Sequence, residues 1–184
     1  SKHPNSPLAA EAFYHVGEKQ YTDEKFADAA KSYTSAKAKA GKSELGEKAT
    51  YKLGWANYRL DKFDEALSAF DAQLKSYPNG PLSGDAQFMV GECSFKLENY
   101  AAALAALEKA LASEPSAETV RVLSLLHAGQ SAGQLEQPDW AKAVELLTKI
   151  EKEHAESAYL PEALYELGWA SFNLNKPDDA LKYW

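Results

Sequence analysis

The sequence predicts an all-α fold, an α-solenoid of stacked antiparallel helix pairs with about four and a half repeats. Three observations carry this expectation. Glycines recur at Gly17, Gly54, Gly91, Gly129 and Gly168, in steps of 37, 37, 38 and 39 residues. Around them the apolar residues fall into two runs per copy with helical spacing, and no segment shows sustained two-residue alternation between hairpin turns. Proline-bearing linkers return at the same period, where proline removes a helix donor and fixes φ.

The glycines anchor further columns. Three residues before them stand Tyr14, Tyr51, Phe88, Leu126 and Tyr165, and five before stand Ala12, Ala49, Ala86, Ser124 and Ala163. Twelve residues after them stand Ala29, Ala66, Ala103 and Ala180, with Ala143 two places late because of extra residues around Gln137–Pro138. Four further on come Tyr33, Phe70, Leu107, Leu147 and Trp184. A mid-helix glycine costs about 1 kcal/mol relative to alanine, so its recurrence implies a packing reason. Small columns let backbones approach, and bulky columns fill the space beside them.

The repeats are expected at about 8–43, 44–80, 81–115, 116–157 and 158–184, in a single array over residues 1–184. The first ends near Gly41, where the other linkers carry proline. In the second, Tyr51, Leu53, Trp55, Tyr58 and Leu60 cover much of a helix circumference, as in a helix packed on both sides. Phe63, Ala66, Leu67, Ala69, Phe70 and Leu74 then form one buried stripe. Asp61, with Asp64 and Glu65, suits the N-terminal end of that second helix and its positive dipole. The third repeat closes at Pro115, in the phase of Pro78. The fourth crowds Gly129, Ser131 and Gly133 together and carries the insertion before Trp140. The fifth is truncated at Trp184, and residues 1–7 read as a linker, so neither end offers a cap and a fragment of a longer array is expected.

Composition narrows the function classes. Lys+Arg number 20 against 27 Asp+Glu, a formal net charge of −7, which argues against nucleic acid as the main partner. Arginine appears only at Arg59 and Arg121. A single Cys93 excludes an internal disulfide and any cysteine-cluster metal site, and it reads as a small buried hydrophobe. No apolar run approaches the roughly 20 residues of a membrane span.

The columns resemble the tetratricopeptide repeat (TPR), with its small residue, aromatic, Ala-x3-aromatic and closing proline. Gly54, Ala66-x3-Phe70 and Pro78 make the best copy, and Gly91, Ala103-x3-Leu107 and Pro115 a close one. Where the family carries glycine before the second helix, Glu24, Asp61, Glu98 and Asn175 stand here, so these turns are expected to differ in detail. The linkers His3-Pro4-Asn5-Ser6-Pro7-Leu8 and Tyr77-Pro78-Asn79-Gly80-Pro81-Leu82 resemble those of bacterial cell-envelope TPR proteins, the outer-membrane assembly lipoproteins and the Tol-associated periplasmic coordinators. That resemblance implies the periplasm or cell envelope, with the cytoplasm as the alternative.

Motifs of chemistry have weak support. Gly129-Gln130-Ser131-Ala132-Gly133 matches the G-x-S-x-G nucleophile elbow, but the elbow needs a strand–turn–helix, and the register puts the pentapeptide inside a repeat helix. A serine hydrolase using Ser131 is therefore only a remote alternative. Two glycines four apart better suit a close helix neighbour. Gly41-Lys42-Ser43 lacks the first glycine of a phosphate loop, since Ala36 stands there. His3, His15, His127 and His154 lack metal-ligand spacing. The lysines Lys31, Lys37, Lys39, Lys42, Lys48 and Lys52 are interleaved with Glu44 and Glu47 and read as a solvated face. No enzyme, cofactor or metal is implied.

The TPR resemblance places ligand contacts on the concave face formed by first helices. Carried over by column, these are Tyr14, Tyr51, Phe88 and Tyr165, then Glu18, Trp55, Glu92 and Trp169, then Tyr21, Tyr58, Phe95 and Phe172, with Arg59 and Lys96 beside them. The fourth repeat contributes Leu126, Gln130, Gly133 and Gln134, and the fifth Asn173. Aromatic residues fill columns where chaperone-binding TPR domains carry a carboxylate clamp, so no such clamp is expected. The expected partner is a protein or peptide segment with apolar or aromatic anchors, held by a scaffold. Self-association through stacking of the truncated ends is the alternative function.

Overall fold

Residue spacing decides the regular structure. The structure, a computed structural model, describes residues 7–113 and 117–184. Among the described residues every regular element is a helix. The first helices of the successive pairs are α1 (Pro7–Thr22), α3 (Glu44–Tyr58), α5 (Ser83–Lys96), α7 (Glu118–Gly133) and α9 (Leu160–Asn173). Their second helices are α2 (Phe26–Ala40), α4 (Phe63–Ser76), α6 (Tyr100–Ala112), α8 (Trp140–Glu153) and α10 (Pro177–Tyr183). Pro7, assigned above to a linker, opens α1, where its missing N–H loses nothing. The rest of that linker, and Pro115, lie outside the described residues.

The chain divides inside α5 into two units, one ending at Met89 and one beginning at Val90. In the first unit α2 packs on α1, α3 on α2 and α4 on α3, and the first helices α1 and α3 also touch. In the second, α6 to α10 pack each on its neighbour, and α7 touches α9. Contact with the next helix and with the next first helix is the pattern of stacked helix pairs.

The glycine and bulky columns meet. A Cβ on Gly17 would lie 2.7 Å from the Tyr33 ring, one on Gly54 2.6 Å from Phe70, and one on Gly91 2.5 Å from Leu107. The same holds for Gly129 against Leu147 at 2.7 Å and Gly168 against Trp184 at 2.1 Å. Tyr33, Phe70, Leu107 and Leu147 are fully or almost fully buried. Each such side chain stabilises by about 1.5–3 kcal/mol through burial, enough to offset the glycine's helix penalty.

The turns between paired helices, expected to depart in detail from the glycine-bearing family pattern, keep the left-handed conformation that glycine favours. Glu24, Asp61, Glu98 and Asn175 all take positive φ, at 58°, 56°, 59° and 58°. Around Asp61 its own N–H donates to the Tyr58 carbonyl and the Lys62 N–H to the Asn57 carbonyl, both at 3.0 Å. The same pair of bonds recurs at Glu24–Lys25, Glu98–Asn99 and Asn175–Lys176. This is the left-handed Schellman closure that glycine favours, made here by other residues because two hydrogen bonds hold it. An aromatic pair brackets three of these turns: Tyr21–Phe26 (5.1 Å), Tyr58–Phe63 (5.4 Å) and Phe95–Tyr100 (5.9 Å). Asp61 consequently does not cap α4; Lys62 holds that position without a side-chain cap, while Asp64 and Glu65 do lie in the first turn. In the fourth pair the insertion replaces this closure, and Asp139 caps α8 by accepting from the Lys142 N–H at 2.9 Å.

One linker is tied down by a buried carboxylate. Glu47, only 3% exposed, accepts from the Gln73 amide at 3.0 Å and from the Leu82 N–H at 3.3 Å. A Cβ on Gly80 would sit 2.1 Å from a Glu47 oxygen, so the linker's glycine is a matter of room.

Candidate functional site

Most first-helix side chains expected to meet a ligand are also held by the fold. Tyr14 and Tyr51 are half-buried and pack their rings on Tyr33 (5.8 Å) and Phe70 (5.7 Å). Burial raises the phenol pKa of both, and Glu18 adds to the rise at Tyr14. Tyr33 is pushed far above the ordinary tyrosine range by burial and by the Glu18 carboxylate that accepts its hydroxyl. Trp55 stands half-buried between Tyr51 (6.3 Å) and Tyr58 (5.8 Å) along α3. Arg59 is exposed and lays its guanidinium 4.3 Å over the Phe26 ring. It belongs to the first unit, whereas the exposed Lys96 belongs to the second.

Two of the expected contact residues are buried: Phe88 is 7% exposed and Glu92 6%. Glu92 accepts from His127 Nδ1 at 2.5 Å, and His127 in turn stacks on Phe95 at 4.5 Å. A regularity underlies this. The residue after the glycine binds the residue two before the next glycine: Glu18 with Lys52 (3.3 Å), Glu92 with His127, and Gln130 with Glu166 (3.1 Å). These pairs join α1 to α3, α5 to α7 and α7 to α9. The column read as ligand-facing therefore also ties successive first helices together.

In the second unit the first helices leave a groove of about 480 Å³. Gly129 and Gly133 of α7 lack the side chains that would cover α8, so Leu147 and Trp140 form the floor. A Cβ on Gly133 would come within 2.7 Å of Trp140. Phe95 and Tyr100 wall one side, and Tyr165 and Trp169 of α9 the other. Gln130, Gln134, Glu166 and Asn173 supply the polar groups. Tyr165, Trp169 and Phe172 are 55%, 43% and 53% exposed, high values for such large apolar surfaces. Tyr100, Trp140 and Glu166 were not singled out from the sequence. Trp140 and Tyr100 sit on second helices, but their proximity to Gly133 and to the Phe95 turn is a signal the register contains.

The remaining motifs resolve locally. Ser131 lies within α7, fully buried, with no hydrogen-bond partner for its hydroxyl among the described residues, so the strand–turn–helix of a nucleophile elbow is not what holds it. His154 Nδ1 lies 3.2 Å from Glu118. Gly41 ends α2 at φ 59°, and Ser43 caps α3 by accepting from the Gly46 N–H at 3.2 Å. No described helix is long and apolar enough to cross a membrane.

The tetratricopeptide repeat family model matches residues 51–118. No curated protein matches the chain in sequence. Among solved structures, residues 41 to the end of MamA from Desulfovibrio magneticus RS-1 superpose with a TM-score of 0.80 at 19% identity, over 95% of this chain and 90% of that one. The apo form of RapI gives 0.78 at 18% identity, over 96% of this chain and 52% of its own. YrrB, described as a TPR protein with an unusual peptide-binding site, gives 0.75 at 16% identity over 93% and 80%. Identities this low show the fold, which is an all-helical solenoid of TPR type.

Proposed function

We propose that this chain is a protein-interaction scaffold that holds an extended peptide or protein segment along its first helices. The observation that carries the reading is the groove of the second unit, whose floor is opened by two glycines and whose wall is the exposed pair Tyr165 and Trp169. Large aromatic side chains give much contact area for little conformational entropy, which suits them to anchor a partner. Phe95, Lys96, Phe172 and Asn173 extend this surface, and Tyr21, Trp55, Tyr58 and Arg59 offer a second aromatic run in the first unit. A structural neighbour described as peptide-binding supports the reading by analogy of fold. The cell-envelope setting is supported by the Pro78-Asn79-Gly80-Pro81-Leu82 linker alone, and fractionation of the native protein tests it.

The test is selection of peptides from a displayed random library on the whole chain, followed by affinity measurement on Trp169→Ala. Loss of an interface anchor should weaken selected peptides by about 10- to 30-fold while the melting temperature holds. Unchanged affinity in a folded Trp169→Ala, and likewise in Trp55→Ala combined with Arg59→Ala, contradicts the reading.

A further inference from the structure

We infer that the groove of the second unit selects a cationic segment, an extended peptide with an arginine or lysine beside an apolar anchor. This rests on the peptide-binding reading above and names the partner's chemistry. Three observations point to it. First, charge is divided unevenly along the chain. Residues 1–89 hold 12 Lys+Arg and 12 Asp+Glu, whereas residues 90–184 hold 8 against 15, so the formal charge of −7 belongs to the second unit. Second, Glu166 is the one charged residue among the described residues lining the groove.

Third, two carboxylates converge there on a neutral donor. Glu162 and Glu166 lie one turn apart on α9, and their Oε1 atoms accept from the single Gln130 amide nitrogen at 3.0 and 3.1 Å. Among the described residues neither carboxylate has a lysine or arginine within ion-pair distance. An amide NH₂ offers two hydrogens and no charge to a site carrying two negative charges. A guanidinium offers the same planar donors with a full positive charge, and takes carboxylates by two bonds at once. The neighbouring faces of Tyr165 and Trp169 add an attraction for the cation that strengthens as water is displaced. An incoming arginine therefore replaces Gln130 as donor, and its apolar neighbour reaches Trp140 on the floor.

The test measures fluorescence anisotropy of labelled extended peptides in which leucine alternates with arginine, with glutamine or with glutamate, against the whole chain. The arginine peptide should bind about tenfold tighter than the glutamine peptide, and the glutamate peptide weakest, with the difference shrinking as salt is raised. Glu162→Gln with Glu166→Gln should weaken the arginine peptide about tenfold and the glutamine peptide far less, so that the arginine preference is lost. The charge-matched control, Glu153→Gln with Glu156→Gln at exposed sites, should change neither. A second variant, Gln130→Lys, builds a tethered cation into the site and should exclude the arginine peptide without unfolding α7. Equal binding of arginine and glutamine peptides, or equal weakening by the control pair, overturns the cation preference and leaves the peptide-binding reading standing. If none of these peptides and no library-selected peptide binds, both readings fail.

Discussion

Gly54 faces Phe70 so closely that a Cβ at that glycine would lie 2.6 Å from the ring's Cζ. The ring is fully buried and packed against Tyr51, so it has little room to retreat. Gly54→Ala should therefore destabilise the chain despite alanine's better helix propensity, with overpacking of about 1–3 kcal/mol set against a gain of about 1. Combining it with Phe70→Leu should recover part of the loss. Urea denaturation of the single and double variants checks this.

The left-handed turns predict the opposite sign. Glu98 holds φ 59° where a side chain is disfavoured. Glu98→Gly should stabilise by about 0.5–1 kcal/mol, because relief of the left-handed penalty exceeds glycine's extra unfolded-state entropy. Asn175→Gly should gain less, since asparagine tolerates that conformation better than glutamate. Thermal melting of the two variants ranks them.

Glu92 and His127 form a largely buried acid–base contact in the second unit, with side chains 8% and 15% exposed. His127→Ala leaves the carboxylate without that partner and removes the ring stacked on Phe95. A loss of about 2–4 kcal/mol is expected, partly regained when Glu92→Gln is added. A double-mutant cycle measures the coupling, and additive losses would show that the pair is not energetically linked.

Alkaline stability follows from Tyr33. Its phenol is raised far above the ordinary value by burial and Glu18, and burial also raises Tyr14 and Tyr51. The unfolded chain loses these protons near pH 10 while the folded chain keeps them, so the contribution is complete below about pH 10 and falls as pH rises beyond it. Tyr33, fully buried, adds a slope of up to about 1.4 kcal/mol per pH unit above that point, and the half-buried Tyr14 and Tyr51 add less. Tyr33→Phe should flatten the decline between about pH 10 and 11.5, measured by denaturation at fixed pH.

The repeat was legible because the same five columns recur, and packing gives each column one job: the sequence shows Gly17 and Tyr33 as separate regularities, and the structure shows that they touch. The turns were less legible. Glu24, Asp61, Glu98 and Asn175 look like departures from a glycine pattern, yet backbone hydrogen bonds impose one geometry on all four. At the candidate site, Tyr165 and Trp169 are exposed, but Phe88 and Glu92 in the corresponding columns are buried. Column position fixes which way a side chain leaves its helix, not what the neighbouring repeat places in front of it. Glu166 was not legible because its partner, Gln130, is 36 residues away in the sequence.

The most direct test of the binding reading uses the four tryptophan indole N–H resonances of the ¹⁵N-labelled whole chain, from Trp55, Trp140, Trp169 and Trp184. On titration with a library-selected peptide, the signals of Trp140 and Trp169 should shift together with the backbone amides of Gln130 and Gly133. Saturable shifts confined to the outer residues of α8, such as Lys149 and Glu153, with all four indoles unmoved, would contradict it.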